Sequence, residues 1–193
     1  MHRKSVLRAA TLLTFCLAAC SKEVSQKEST FRLTATIQDI MDAEVDPAAD
    51  FIWGSVAYVS TKEKTEDKQP RTDQEWETVR RNALILLEAT NLLAMEGRRV
   101  ADAGSKLDPT EVAGIEDPKD IEKAIAANPA NFVGFAHALH DAGMLALKAI
   151  QAKDAPALSA AGEKLDIACE NCHRTYWYPN APEPIQTLEP PAK

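Results

Sequence analysis

Cys169-Glu170-Asn171-Cys172-His173 limits what this chain can fold into more than any other stretch of its 193 residues. Two thiols separated by two residues and followed at once by an imidazole form the C-x-x-C-H pattern that attaches c-type haem. Two intervening residues in a helical turn place both sulfurs along one porphyrin edge, where they form thioethers with the vinyl groups. The adjacent His173 then offers a ring nitrogen to the iron. One such motif implies one haem c per chain, and a haem needs a dry pocket to hold its potential. Trp53, Tyr58, Phe132 and Phe135 are the aromatic residues expected to wall it, although as plain core they would look the same.

The other end of the chain says where this chemistry takes place. Met1-His2-Arg3-Lys4 with Arg8 is a basic start, and Val6 to Ala19 is an almost unbroken apolar and small run, too short for a comfortable membrane span. It closes on Leu17-Ala18-Ala19-Cys20, the pattern of a bacterial lipobox, so residues 1–19 are expected to be a lipoprotein signal peptide and Cys20 the lipidated first residue. Residues 20–30 then form a flexible polar tether. Ser21, where Asp could stand, points to the outer rather than the inner membrane. The four cysteines are thereby used up: Cys16 leaves with the signal, Cys20 is acylated, and Cys169 and Cys172 hold haem, so none is left for a disulfide in an oxidising compartment. A periplasm-facing protein of the bacterial envelope, anchored by lipid, is the expectation.

Between these ends the apolar pattern is helical. Leu33, Ile37, Ile40, Met41, Val45, Ala48, Ile52, Val56 and Val59 recur at spacings of mostly three and four. Pro47 interrupts them, and predicts a kink or a restart with Asp46 as N-cap. Lys62 to Arg71 reads as a solvated turn. Thr72 or Asp73 caps a second helix carrying Trp76, Val79, Ala83, Leu86, Thr90, Leu93, Gly97 and Val100, expected to end near Ala103-Gly104. A long connection from Ser105 to Pro129, with a short helix over Lys119 to Ala127, is either a cap on the helices or a partner surface. A third helix follows Asn131, and a fourth, with Asp154 as N-cap, runs through Leu158, Ala161 and Leu165 to the haem motif and Tyr176. Residues 179–193, with Pro179, Pro182, Pro184, Pro190 and Pro191, read as an extended, disordered tail. No stretch alternates with period two, so no strand is expected.

Four amphipathic helices with C-x-x-C-H on the last turns of the last one resemble the class II c-type cytochromes, cytochrome c-prime and the low-spin cytochromes c-556. The resemblance spans residues 31–178 and is specific at Cys169 to Tyr176. It implies an all-α, antiparallel four-helix bundle with covalent haem near the C-terminal end of the last helix. It also implies Cys169 and Cys172 as the thioether positions, His173 as the proximal iron ligand and Tyr176 as an aromatic packed beside the haem. One position departs: Trp177 stands where cytochrome c-prime proteins usually carry Arg or Lys, although Arg174 is near. In this family the sixth iron position faces the first helix. A Met there gives a six-coordinate, low-spin electron carrier, and a hydrocarbon leaves the iron open to nitric oxide or other small gases. Met41 is the candidate distal ligand, because a thioether opposite His ligates iron and raises its potential. Core packing is the other use of such a Met. Met95 and Met144 read as core.

Two rival ligand sets involve His137 and His140. With Cys169 and Cys172 they could make a tetrahedral zinc site, which would leave His173 without a task. Either could also serve as a distal haem ligand, but His140, followed by Asp141, reads as a surface hydrogen-bonding residue. The formal net charge of −7 becomes −10 when Arg3, Lys4 and Arg8 leave with the signal. Such an acidic chain is set against nucleic acid and suits a redox partner with a basic surface. The function these readings imply is single-electron transfer rather than enzymatic turnover, with gas binding at a five-coordinate iron as the alternative. Family members also often form homodimers.

Overall fold

Thr36 begins the ordered helices with a reciprocal cap. Its hydroxyl accepts the Asp39 N–H at 3.1 Å while the Asp39 carboxylate accepts the Thr36 N–H at 2.7 Å, so the first turn's free donors are satisfied. The computed structural model in which this is seen describes residues 31–60, 65–105, 107 and 114–182, with the backbone only for 58–60, 65 and 66. The signal peptide, Cys20, the tether and residues 183–193 of the tail lie outside the described residues, as does the Tyr58 side chain. Residues 1–32 form one unit, of which Phe31 and Arg32 are described, and residues 33–193 form the other.

The first helix runs on through Pro47 without restarting behind an Asp46 N-cap. Helix α1 (Ile37–Ile40) passes into a π-helical turn (Met41–Val45) and on into α2 (Asp46–Ser55), with the Asp46 N–H donating to the Met41 carbonyl five residues back. Pro47 supplies the reason. It has no N–H, and its ring would collide with the carbonyl of Ala43, so the helix widens by one residue just before it. The buried stripe records the extra residue: Ile37 and Ile40 are followed by Val45, a step of five, before Ala48 and Ile52 resume the α-helical spacing.

Val56 and Val59 do not continue this helix. Val56 is extended, and the chain turns into a hairpin of β1 (Ala57–Ser60) and β2 (Thr65–Lys68), antiparallel in the register Ala57 opposite Lys68 and Ser60 opposite Thr65. The stretch read as a solvated turn therefore includes a strand. Four-residue strands are too short to display alternation, and the Val, Tyr and Thr content here favours extended backbone.

Helix α3 (Asp73–Leu93) starts as expected, with Thr72 and Glu75 capping each other, but it ends ten residues before Ala103. Gly97 is left-handed at φ 82°, and the carbonyls of Arg99 and Val100 turn back to accept the Ile37 and Gln38 N–H groups at 2.9 Å each. Val100 is fully buried, as its place in the apolar pattern implies, yet it sits in a loop that caps α1. Within the long connection, α4 (Pro118–Ala127) forms behind an Asp117 cap and buries Ile121. Helix α5 (Pro129–Ala152) begins three residues earlier than the sequence implies, with Asn128 as its cap and Pro129 in the first turn. Lys153 is left-handed and ends it, and the Asp154 carboxylate accepts the Ala157 N–H to open α6 (Ala155–Tyr176).

Apart from the hairpin the fold is helical. Helix α2 packs on α3 and α6, α3 on α5, and α5 on α6, which closes a ring of four. Ile52, Leu86, Leu158 and Leu165 fill its centre with no exposed surface. Leu86→Ala should therefore cost about 2–5 kcal/mol, read as a lower denaturant midpoint at unchanged m-value. A loss under about 0.5 kcal/mol, the range of surface substitutions, would mean that Leu86 is not a core residue. No described helix is long and apolar enough to cross a membrane.

Candidate functional site

The last two turns of α6 carry the C-x-x-C-H motif on their inward side. Cys169 and Cys172, three residues apart, lie on one face, both half-buried and both free thiols. A cavity of about 220 Å³ opens against them. Its walls come from four segments: Met41, Asp46 and Trp53 from the π turn and α2, Leu93 from α3, Phe132, Phe135 and Leu139 from α5, and Cys169, Glu170, Cys172 and His173 from α6. Met41, Cys169, Cys172 and His173, far apart in sequence, thus face one space.

Burial governs the electrostatics here. Desolvation pushes the Cys169 thiol up to about 11, helped by the charges of Asp46 and Asp166, and the Cys172 thiol up to about 12. Both thiols are protonated at neutral pH. Burial also lowers the His173 pKa, which keeps its imidazole neutral, the form that ligates metals. The His173 ring lies 5.9 Å from the Tyr178 ring, edge to face, and 6.0 Å from that of Trp177. At the cavity mouth, partial desolvation, then Asp42 and Asp50, hold the Asp46 carboxyl above the usual range.

Three supporting arrangements carry no signal in the motif. The Trp53 indole N–H donates to the Gly162 carbonyl at 3.0 Å, and a Cβ on Gly162 would stand 3.0 Å from Trp53 Cδ1. Glycine is what lets the indole lie this close to α6. Tyr176 does not line the cavity. It is buried one layer back, edge-on to Phe132 and Phe135 at 5.5 and 6.0 Å, with its hydroxyl accepting from Asn131 Nδ2 at 3.0 Å. It therefore braces two rings of the wall. The Glu170 carboxylate accepts from Arg174 Nε at 2.6 Å and from the Tyr178 hydroxyl at 2.7 Å, and chiefly the Tyr178 bond holds its pKa below the ordinary value. An acid and a base four apart on a helix were the one hint of this pair in the sequence.

The described end of the long connection meets the end of α6. The Glu116 N–H donates to the Trp177 carbonyl at 2.8 Å, and the Glu116 carboxylate accepts from Asn180 Nδ2 at 3.0 Å, which fastens the chain just past the motif. Residues 179–182, assigned to the tail by composition, include this contact and a turn closed by the Ala181 N–H on the Tyr178 carbonyl.

His137 is exposed and His140 half-buried, and neither lines the cavity. Among the described residues no group of three or more His, Cys, Asp or Glu gathers to hold a metal ion, so the structure does not bring these histidines together with Cys169 and Cys172. Met144 is exposed on α5, not core, because the apolar stripe there turns inward at Gly143 and Ala146. Met95 lies past the end of α3, where its sulfur accepts from Arg98 Nη2 at 3.7 Å.

The donor set fits haem c. Two free thiols one turn apart and a neutral imidazole share one cavity whose other walls are largely aromatic and aliphatic. No family model matches the chain, and no curated protein matches it. Two solved structures are similar. One is a cytochrome c prime, 17% identical over 75% of this chain and 99% of that one, with a TM-score of 0.44. The other is a nitric oxide complex of a single-substitution variant of cytochrome c prime from Alcaligenes xylosoxidans, 16% identical over 76% of this chain and 99% of that one, also at 0.44.

Proposed function

We propose that the chain is a monohaem c-type cytochrome that carries single electrons in the bacterial cell envelope, held to the outer membrane by a lipid on Cys20. The four longer helical segments are then an antiparallel bundle with haem c near the C-terminal end of α6. What supports the reading is the meeting of Cys169, Cys172, His173 and Met41 at one cavity. When bound, haem supplies a one-electron Fe(III)/Fe(II) couple. The two cysteines would hold it covalently and His173 would offer a neutral ring nitrogen. The Met41 sulfur, a soft donor, would raise the potential if it reaches the metal. Trp53, Phe132 and Phe135 would keep water out. Asp46, Asp166 and Glu170 in the cavity lining give this face a negative rim, which suits a redox partner with a basic surface.

A second reading, nearer to the nitric oxide complex among the two similar structures, leaves the iron five-coordinate and open to nitric oxide or another small gas. The iron's coordination decides between the two. The full chain, produced in a bacterium that attaches haem in its periplasm, should gain the mass of one haem that survives denaturation. Low-spin optical and EPR spectra with no carbon monoxide binding to the reduced form would stand for the carrier. High spin with ready binding would stand for the gas-binding protein, and a chain without covalent haem would end both readings.

A further inference from the structure

Glu170 lies between the two cysteines of the motif in sequence, and beyond the negative rim the haem chemistry above gives it no role. Both of its carboxylate oxygens are bonded, one to Arg174 Nε at 2.6 Å and the other to the Tyr178 hydroxyl at 2.7 Å, so the side chain is fixed in one orientation. Glu170 lines the cavity and Arg174 does not, so the acidic member of this ion pair is the one that borders the space that Cys169, Cys172 and His173 share. Tyr178 links the carboxylate to the ligand as well, since its ring meets the His173 ring edge to face at 5.9 Å.

We propose that Glu170 is a built-in anion that lowers the reduction potential of the iron held by His173, with Tyr178 setting how much of that charge the iron feels. The inference rests on the haem reading above. Its physical basis is Coulombic. Oxidised iron carries one more positive charge than reduced iron, and a carboxylate fixed in a partly desolvated wall favours the oxidised form. Of the three acids that line the cavity, Asp46, Asp166 and Glu170, it is Glu170 whose carboxylate is fixed in place by two hydrogen bonds. The Tyr178 hydroxyl draws charge away from the carboxylate, and removing it should leave more of that charge on the cavity side.

The test is a spectroelectrochemical titration of the haem-loaded full chain beside two variants. Glu170→Gln should raise the midpoint, by about tenfold in the one-electron equilibrium, which is about 59 mV. Tyr178→Phe should move it the opposite way. The opposite signs matter, because mere loosening of the wall admits water and lowers the potential in both variants. A Glu170→Gln midpoint unchanged or lower overturns the proposal. So does a Tyr178→Phe midpoint that fails to fall, which keeps the idea testable even if Glu170→Gln does not mature. If the unaltered chain carries no covalent haem, mass spectrometry shows it before any titration, and the haem reading itself has failed.

Discussion

A chain in which both Cys169 and Cys172 are replaced by Ala should retain no haem after denaturation, against one haem per chain in the unaltered protein. On the proposed reading two thioethers would make the attachment covalent, and among the described residues no other cysteine lines the cavity. His173 alone could hold a metal only reversibly. A single replacement should leave one bond and a weaker haem stain on a denaturing gel. The chain before haem addition gives a second reading of the same environment. With thiols pushed up to about 11 and about 12, the thiolate fraction at pH 8 lies far below that of an ordinary cysteine. Alkylation by iodoacetamide should therefore run roughly a hundredfold slower than for an exposed thiol of pKa about 8.5. Full haem retention in the double variant would mean that attachment does not run through this motif. Fast alkylation would mean that the thiols are not buried as described.

The motif was readable because its chemistry is local: three residues within five positions carry it, and one helix delivers them. The inward position of Met41 is readable for a different reason, since an apolar stripe identifies which face of a helix turns inward. Periodicity could not reveal how Pro47 is accommodated. A π turn adds one residue, and a spacing of five between Ile40 and Val45 looks like a gap in the stripe until the turn is seen. The overlong reading of α3 has a similar origin. Gly97 and Val100 continue a plausible stripe, but the carbonyls of residues 99 and 100 are needed to satisfy the first N–H groups of α1, a contact across more than sixty residues. The surroundings of the site were the least legible part. Gly162 matters only because Trp53 lies against it, and Glu170 only because Tyr178 and Arg174 hold it. The resemblance to the class II cytochromes implies Tyr176 as an aromatic beside the haem, and the sequence says nothing of its other partners. Its hydroxyl accepts from Asn131, and its ring supports Phe132 and Phe135.

Met41→Leu should turn a low-spin iron high-spin and open the reduced form to carbon monoxide. Met41 is the first residue of the π turn, half-buried, and lines the cavity that Cys169, Cys172 and His173 face. The turn holds it there: its carbonyl takes the Asp46 N–H five residues on, and Pro47 keeps the helix from closing back to the tighter spacing. Leu keeps the volume and the apolar surface while removing the sulfur, and a Leu-for-Met exchange in a packed site usually costs less than about 1.5 kcal/mol. A change of spin state in this variant, with the thermal midpoint kept to within a few degrees, is therefore a statement about ligation rather than folding. Met41→Ala should give the same spectrum with a greater loss of stability, because it adds a cavity to the lost ligand. The loss of a thioether opposite His should also lower the reduction potential. A low-spin spectrum unchanged in Met41→Leu would remove Met41 from the iron. If the unaltered protein is already high-spin and binds carbon monoxide, Met41 is wall rather than ligand, and small-gas binding becomes the function of this cavity.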